Sequence, residues 1–190
     1  MLFLIAGIAL FLGAHSLNIA PGGRAVWVGK LGEGPYKGLY SLLSAAGLGL
    51  IIYGFGRYRA EGWVQIWTPP IWTRHITLTL MWVAFVCLAA AGKAPGRIRG
   101  WLRHPMLVGV KTWALAHLLA NGDLGGMILF GSFLAWAVAD RISVKRRGDA
   151  GAARVARFTR ADAVALGGGT VAYVAMLFLH PYLIGVAVLG

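Results

Sequence analysis

The chain has 190 residues, 58% of them hydrophobic and 13% charged, where a soluble domain carries about 25% charged residues. Missing charge marks a chain solvated by lipid, and this length accommodates one bundle with no room for a second domain. The net charge of +12 raises nucleic-acid binding, but the basic residues stand between apolar runs and form no stripe interleaved with exposed aromatics, which excludes that reading. The single cysteine, Cys87, lies inside an apolar run, so neither a disulfide framework nor a thiolate cluster can form within the chain.

In chain order, Met1 to Ala20 is apolar, with no Lys or Arg before Arg24. A signal peptide has its charge before the apolar run; here the charge follows it, which predicts an uncleaved first helix with its N-terminus outside. Gly38 to Phe55 is the second span. Trp72 to Ala91 is the third, entered after Pro69-Pro70, which a helix interior does not tolerate. Pro105 to Ala120 is the fourth. At Asn121-Gly122-Asp123 the chain reverses, with Gly122 expected in a left-handed cap and Asp123 expected to cap the next helix. Leu124 to Ala139 is the fifth span, ended by Asp140. Ala163 to Leu179 starts a sixth, which can run on past His180-Pro181. The expected fold class is all-α: a polytopic transmembrane helical bundle of about six helices, one domain over residues 1–190, with membrane lipid as its partner.

Orientation follows from the loops. Arg24, Lys30 and Lys37 lie in the first; Lys93, Arg97, Arg99 and Arg103 in the third; Arg141, Lys145, Arg146, Arg147, Arg154, Arg157 and Arg160 in the fifth. The opposite side holds only Arg57, Arg59 and Arg74, and Lys111 falls within the fourth helix. The positive-inside rule then puts both termini and the Asn121 turn on the outer side. Residues 141–160 read as a solvated loop of that kind, with an interfacial arm on anionic lipid as the alternative.

Ionisable groups within apolar spans usually face a bundle interior or a functional site. His15 lies in FLGAHSLN, His117 in KTWALAHLL, and Lys111 in the same helix as His117. His75 and His104 sit near helix starts, and His180 beside a proline. A lone membrane histidine usually packs through a hydrogen bond; several in one small bundle suit haem iron, which neutral imidazole ligates between facing helices. Glycines 7, 13, 47, 49 and 109 permit close approach of a macrocycle or, more simply, of a neighbouring helix. Arg103-His104-Pro105 is a helix start beside cations, suited to a haem propionate or a phosphate headgroup, or else an ordinary basic boundary. Glu33 and Glu61 fall in loops, and no carboxylate pair is placed for acid–base work. Serine hydrolase and P-loop signatures are absent.

The stretches FLGAHS, GPYKGLYSLLSAAGLGLIIYGF, APGRIRGWLRHPMLVGVKTWALAHLLANGD and LFGSFLAWAVADRIS together resemble the NnrU family of bacterial membrane proteins. The resemblance implies a multi-pass protein of the bacterial cytoplasmic membrane linked to denitrification and nitric oxide metabolism. It also implies kinship with plant zeta-carotene isomerase, a membrane enzyme that uses haem b. By that kinship His15 and His117 are the axial haem ligands; His104 is the reserve ligand, and the residues themselves offer Arg103 and Lys111 as further cofactor-binding candidates. A redox, sensing or isomerase-like role would follow, with a hydrophobic small molecule as substrate; a cofactor-free accessory protein for nitrogen-oxide reductases is the other outcome. The isomerase carries a cysteine three residues before its second histidine; this chain has Ala114 there. Arg103-His104-Pro105 with Gly109 also resembles membrane methyltransferases of the isoprenylcysteine and phospholipid type, which use later acidic residues that this chain lacks as a Glu-Glu pair. At 1.5 Å rise per residue His15 and His117 differ in depth by about 12 Å. Depth alone would pair His15 with His104, or His117 with His75.

Overall fold

The structure is a computed structural model that describes all residues except Asn18, Pro21, Lys93 and Gly190. The part assigned above to Lys93 lies outside the described residues. Eight helices make up the described chain: α1 (Leu2–Ser16), α2 (Gly23–Leu31), α3 (Glu33–Ala60), α4 (Thr73–Ala89), α5 (Arg97–Leu102), α6 (Pro105–Ala120), α7 (Leu124–Arg146) and α8 (Arg160–Leu183). Helices α3, α7 and α8 are long and apolar enough to cross a membrane, and α1, α4 and α6 are shorter apolar helices. The six apolar helices fall on the six expected segments, three of them long enough to span, and the protein is an all-α membrane protein.

The differences have local causes. Residues 23–31 and 97–102, read as loop, are the short helices α2 and α5. Glu33 opens α3 rather than sitting in a loop, where its carboxylate meets Lys37 at 2.8 Å and Arg24 at 3.7 Å; a carboxylate is favourable in a first turn. Asp140 does not end α7. The helix continues to Arg146, because Ile142 and Val144 extend the apolar pattern and nothing between 140 and 146 breaks it, so Arg141, Lys145 and Arg146 are helical. Likewise α8 passes through Pro181 and stops two residues later. Gly122 is not left-handed, since the positive-φ glycines are 22, 32, 62, 148, 151 and 185. It is glycine because a Cβ there would fall on the Trp67 carbonyl, while its own carbonyl accepts from Ile66 N at 2.8 Å and Trp67 N at 3.1 Å. Asp123 does cap α7, accepting from Gly126 N at 2.8 Å.

The chain packs as two compact units: Met1–Pro70 with His117–Asp149, and Ile71–Ala116 with Ala150–Gly190. In the first, α1 and α3 run antiparallel at backbone contact. A Cβ on Gly7 would lie 2.6 Å from Ile51 N, one on Gly47 would lie 2.7 Å from Phe11 N, and one on Gly54 would collide with Leu4 N. Small residues let membrane helices approach this closely, and Leu4 is fully buried as a result. Gly13 and Gly49 meet nothing within 4 Å and are not part of that seam. α7 also packs on α1.

In the second unit α4 packs on α8, where Gly169 lies against the Val86 backbone, and on α6, where Gly109 lies against Leu88. Polar side chains inside these helices are satisfied: Thr77 Oγ1 donates to Ala116 O at 3.2 Å, and Trp82 Nε1 donates to Thr170 Oγ1 at 2.9 Å. Cys87 is buried in this packing, as its apolar surroundings lead one to expect.

One side chain of the second unit, Asp162, organises two helix starts. It is 1% exposed. Its oxygens accept from Arg97 N at 2.9 Å, Ile98 N at 2.7 Å, Thr159 N at 2.8 Å and Thr159 Oγ1 at 3.0 Å. With Thr159 it completes a capping box at the start of α8, and it also receives the otherwise unpaired first amides of α5. Residues 150–159 then run back along α5: Gly100 lies against Ala153 and Arg154, and Ala152 N donates to Arg103 O at 2.9 Å. Much of the basic segment read as a solvated loop is thus a strap clasped to α5.

Candidate functional site

His15 lies in the last turn of α1 and faces a box of rings. Its imidazole stacks on Phe11 with centroids 4.2 Å apart, stands 5.2 Å from Tyr40 of α3, and meets Trp136 of α7 edge-on at 6.0 Å. Phe133 approaches Phe11 at 5.6 Å on the same side. The turn of α1 supplies the orientation: Nδ1 lies 2.8 Å from Phe11 O, four residues back. A carbonyl can only accept, so Nδ1 carries the proton and Nε2 keeps its lone pair. Metal-ligating histidines are commonly held in this way by a backbone carbonyl on the remote nitrogen.

Beside this imidazole the indole Nε1 of Trp136 is buried with no hydrogen-bond partner among the described residues. Native interiors rarely leave such a donor orphaned, and an apolar membrane segment makes the omission more costly. The box therefore combines one available lone pair with one unanswered donor. Trp136, Tyr40 and Phe11 were not singled out from sequence. Phe11 carries the one local signal, the i−4 position before a histidine; the approach of α3 and α7 leaves no mark in a single sequence.

His117 lies in the last turn of α6 and belongs to the same unit. Its ring stacks on Phe130 of α7 at 4.4 Å, while its carbonyl accepts from Asn121 N and Asn121 Nδ2, both at 2.8 Å. Along α7, Trp136 and Phe130 are separated by six residues, roughly 9 Å of rise, so the two histidines meet α7 at different levels. Two nitrogens on one metal at about 2 Å each lie about 4 Å apart. A metal shared by the two would require both rings to turn toward one level. Among the described residues no three or more of His, Cys, Asp and Glu come together as a metal-binding group.

The remaining candidates belong to the second unit. Among the described residues Arg103 is the only non-glycine at positive φ, 66°, and its guanidinium donates to Ala150 O at 3.2 Å. His104 Nε2 packs so close to Gly151 that a Cβ there would sit 2.6 Å away. The Arg103-His104 corner thus holds the strap in place. Lys111 is half-buried within α6, and Ala114 is fully buried. The single carboxylate of this unit, Asp162, is committed to the amides of α5 and α8, so the unit offers no acidic side chain of the kind the methyltransferase resemblance requires.

No curated protein and no solved structure matches the chain. A family model described as NnrU protein matches residues 3–188, nearly the whole length, and this chain belongs to the NnrU family.

Proposed function

We propose that the protein is a haem b-binding membrane protein with a redox, sensing or isomerase-like role in nitrogen-oxide metabolism, and that His15 is an iron ligand with His117 as the second. The observation that carries the proposal is the His15 box. The Nδ1–H···O=C bond to Phe11 fixes the tautomer that leaves Nε2 available, and Phe11, Tyr40 and Trp136 surround it with flat apolar faces. Such rings exclude water and suit the faces of a macrocycle. Bound there, haem would supply one-electron redox chemistry and a site for a small gas or an unsaturated hydrocarbon. The chain's own part is to orient the imidazole, keep the site dry and offer the Trp136 N–H to an acceptor atom.

The test is an absorption spectrum of the detergent-purified protein and its histidine variants. A Soret band is expected in the parent. His15→Ala should lose haem, and His117→Ala should lose it or become high-spin, whereas His180→Ala should be unchanged. Haem that survives His15→Ala with a normal low-spin spectrum would remove His15 from the site. A change in His104→Ala with none in His117→Ala would move the second ligand to the other unit. A parent that purifies well without haem after expression with ample haem supply would refute the proposal.

A further inference from the structure

No Lys, Arg, Asp or Glu occurs from Gly62 to Thr73, and the first part of this stretch is tied to the ends of two helices of the first unit. Val64 N donates to Tyr58 Oη at 3.0 Å. Val64 O accepts from Leu124 N at 2.8 Å, and Gly122 O accepts from Ile66 N and Trp67 N. Tyr58 is buried in the last turn of α3, where its ring packs against Gly125 in the first turn of α7. Residues 62–67 therefore fold back beside the meeting point of those two turns. Their apolar side chains stay uncovered: Trp63, Val64 and Ile66 are each at least 50% exposed.

The length of α3 sets the depth of this patch. Both α3 and α7 are long and apolar enough to cross a membrane. With 28 residues, α3 is about 42 Å long at 1.5 Å per residue. A bilayer core is about 30 Å thick, and about 40–45 Å with its headgroup regions. A crossing α3 thus ends inside a headgroup region, and tilt only brings that end deeper. The 62–67 segment shares the level of that last turn. Ile52 and Tyr53, in the final three turns of α3, are exposed as well, so lipid that covers them reaches the level of the segment. Tryptophan suits this zone, where one end of the ring is wet and the other apolar. The paired backbone groups of Val64, Ile66 and Trp67 lower the cost of leaving water. With no charge in the segment, nothing opposes immersion and nothing selects an ionic partner.

We propose that residues 62–67 are an interfacial membrane anchor: the segment lies along the bilayer surface, with Trp63, Val64 and Ile66 seated at the boundary of headgroups and acyl chains. Its ties to Tyr58, Gly122 and Leu124 hold the last turn of α3 and the first turn of α7 at that depth. The occupant of the patch is lipid of either headgroup charge. The proposal is independent of haem and of His15.

Spin labelling of the full chain tests it, in a Cys87→Ser background reconstituted into phosphatidylcholine nanodiscs and, separately, into nanodiscs that also contain phosphatidylglycerol. Nitroxide labels at Trp63→Cys and at Ile66→Cys are compared with one at Glu61→Cys, whose exposed carboxylate pairs with Arg57 in the native chain. The readout is access to oxygen, which concentrates in the acyl region, against access to a water-soluble nickel chelate. The labels at 63 and 66 should favour oxygen several-fold over the label at 61, at a depth of about 5–10 Å, as interfacial segments do. Both lipid mixtures should give the same result. Trp63 and Ile66 are exposed, so neither substitution opens a core, and the two positions report separately. Nickel access at 63 and 66 equal to that at 61 would overturn the proposal and leave the patch to a protein partner. Protection that appears only with phosphatidylglycerol would overturn it too, since it would show electrostatic attachment in place of apolar immersion.

Discussion

Replacing Asp162 with alanine should unfasten the α5 clasp. The carboxylate is 1% exposed and receives three backbone amides, from Arg97, Ile98 and Thr159, together with the Thr159 hydroxyl. Each buried donor left without an acceptor costs about 1–3 kcal/mol. Alanine leaves enough room for water to reach part of this group, and losses within one network are not additive, so a net loss of about 3–5 kcal/mol follows. For a chain of this length that corresponds to a fall of roughly 6–20 °C in Tm. Cys87 provides the assay, because the sole cysteine is buried in the same unit: a dye that fluoresces on reaction with a thiol reports unfolding there as temperature rises. Gly96→Ala tests the same feature by the opposite route. A Cβ at Gly96 would lie 2.8 Å from Asp162 Oδ1, so the carboxylate must shift off the α5 amides, and Tm should fall by several degrees. Melting of Asp162→Ala within 2 °C or so of the parent, no more than the shift one kcal/mol produces, would refute the idea that this carboxylate carries the clasp.

The seam between α1 and α3 makes a paired prediction. Gly54→Ala places a methyl on the Leu4 backbone and should lower stability by about 2 kcal/mol or more, as overpacking does; Gly49→Ala faces open space on the same helix and should raise it by about 0.5–1 kcal/mol through helix propensity, both read by resistance to unfolding in a denaturing detergent. The basic bias of the loops predicts orientation: in a Cys87→Ser background, a cysteine at the exposed Thr68 should react with an impermeant thiol reagent in intact spheroplasts and one at Arg146 should not, and the reverse pattern would invert the topology.

Much of the helix inventory was legible because membrane helices write their length and apolar content into contiguous sequence. Pro105 and Asp123 mark their helix starts by local chemistry, and both helices begin where those residues sit. What escaped was non-local. α5 has a helical stretch too short and too basic to register as a span, and it forms because Asp162, far along the chain, receives its first amides. Gly122 looked like a left-handed residue from its neighbours, whereas its constraint comes from the Trp67 carbonyl. His15 was visible as an ionisable group in an apolar run. The ring box around it depends on α3 and α7 converging on α1, and no periodicity within one helix encodes that meeting.

The way this chain treats polar atoms inside its helices gives the His15 box its significance. Ser16 Oγ donates to Leu12 O at 2.7 Å, Thr79 Oγ1 to His75 O at 3.0 Å, and His15 Nδ1 to Phe11 O at 2.8 Å, each one helical turn back. Longer side chains reach across, as Trp82 does to Thr170 and Thr77 to Ala116. Ser44 Oγ of α3 and Trp136 depart from this pattern, and the Trp136 indole N–H is buried without a partner among the described residues next to an imidazole whose Nε2 has no donor assigned to it among the described contacts. Packing alone accounts for neither, since a phenylalanine and a leucine would fill the same space without leaving polar atoms in an apolar span. One group that takes the lone pair from His15 and accepts from Trp136 accounts for both at once. A water molecule can do this by donating to Nε2 and accepting from Nε1, and so can an iron porphyrin carrying an oxygen atom within reach of the indole. The two differ in a single observable: only haem gives a Soret band that vanishes with His15, and for that reason the spectrum of the purified protein bears more directly on function than any further detail of the packing.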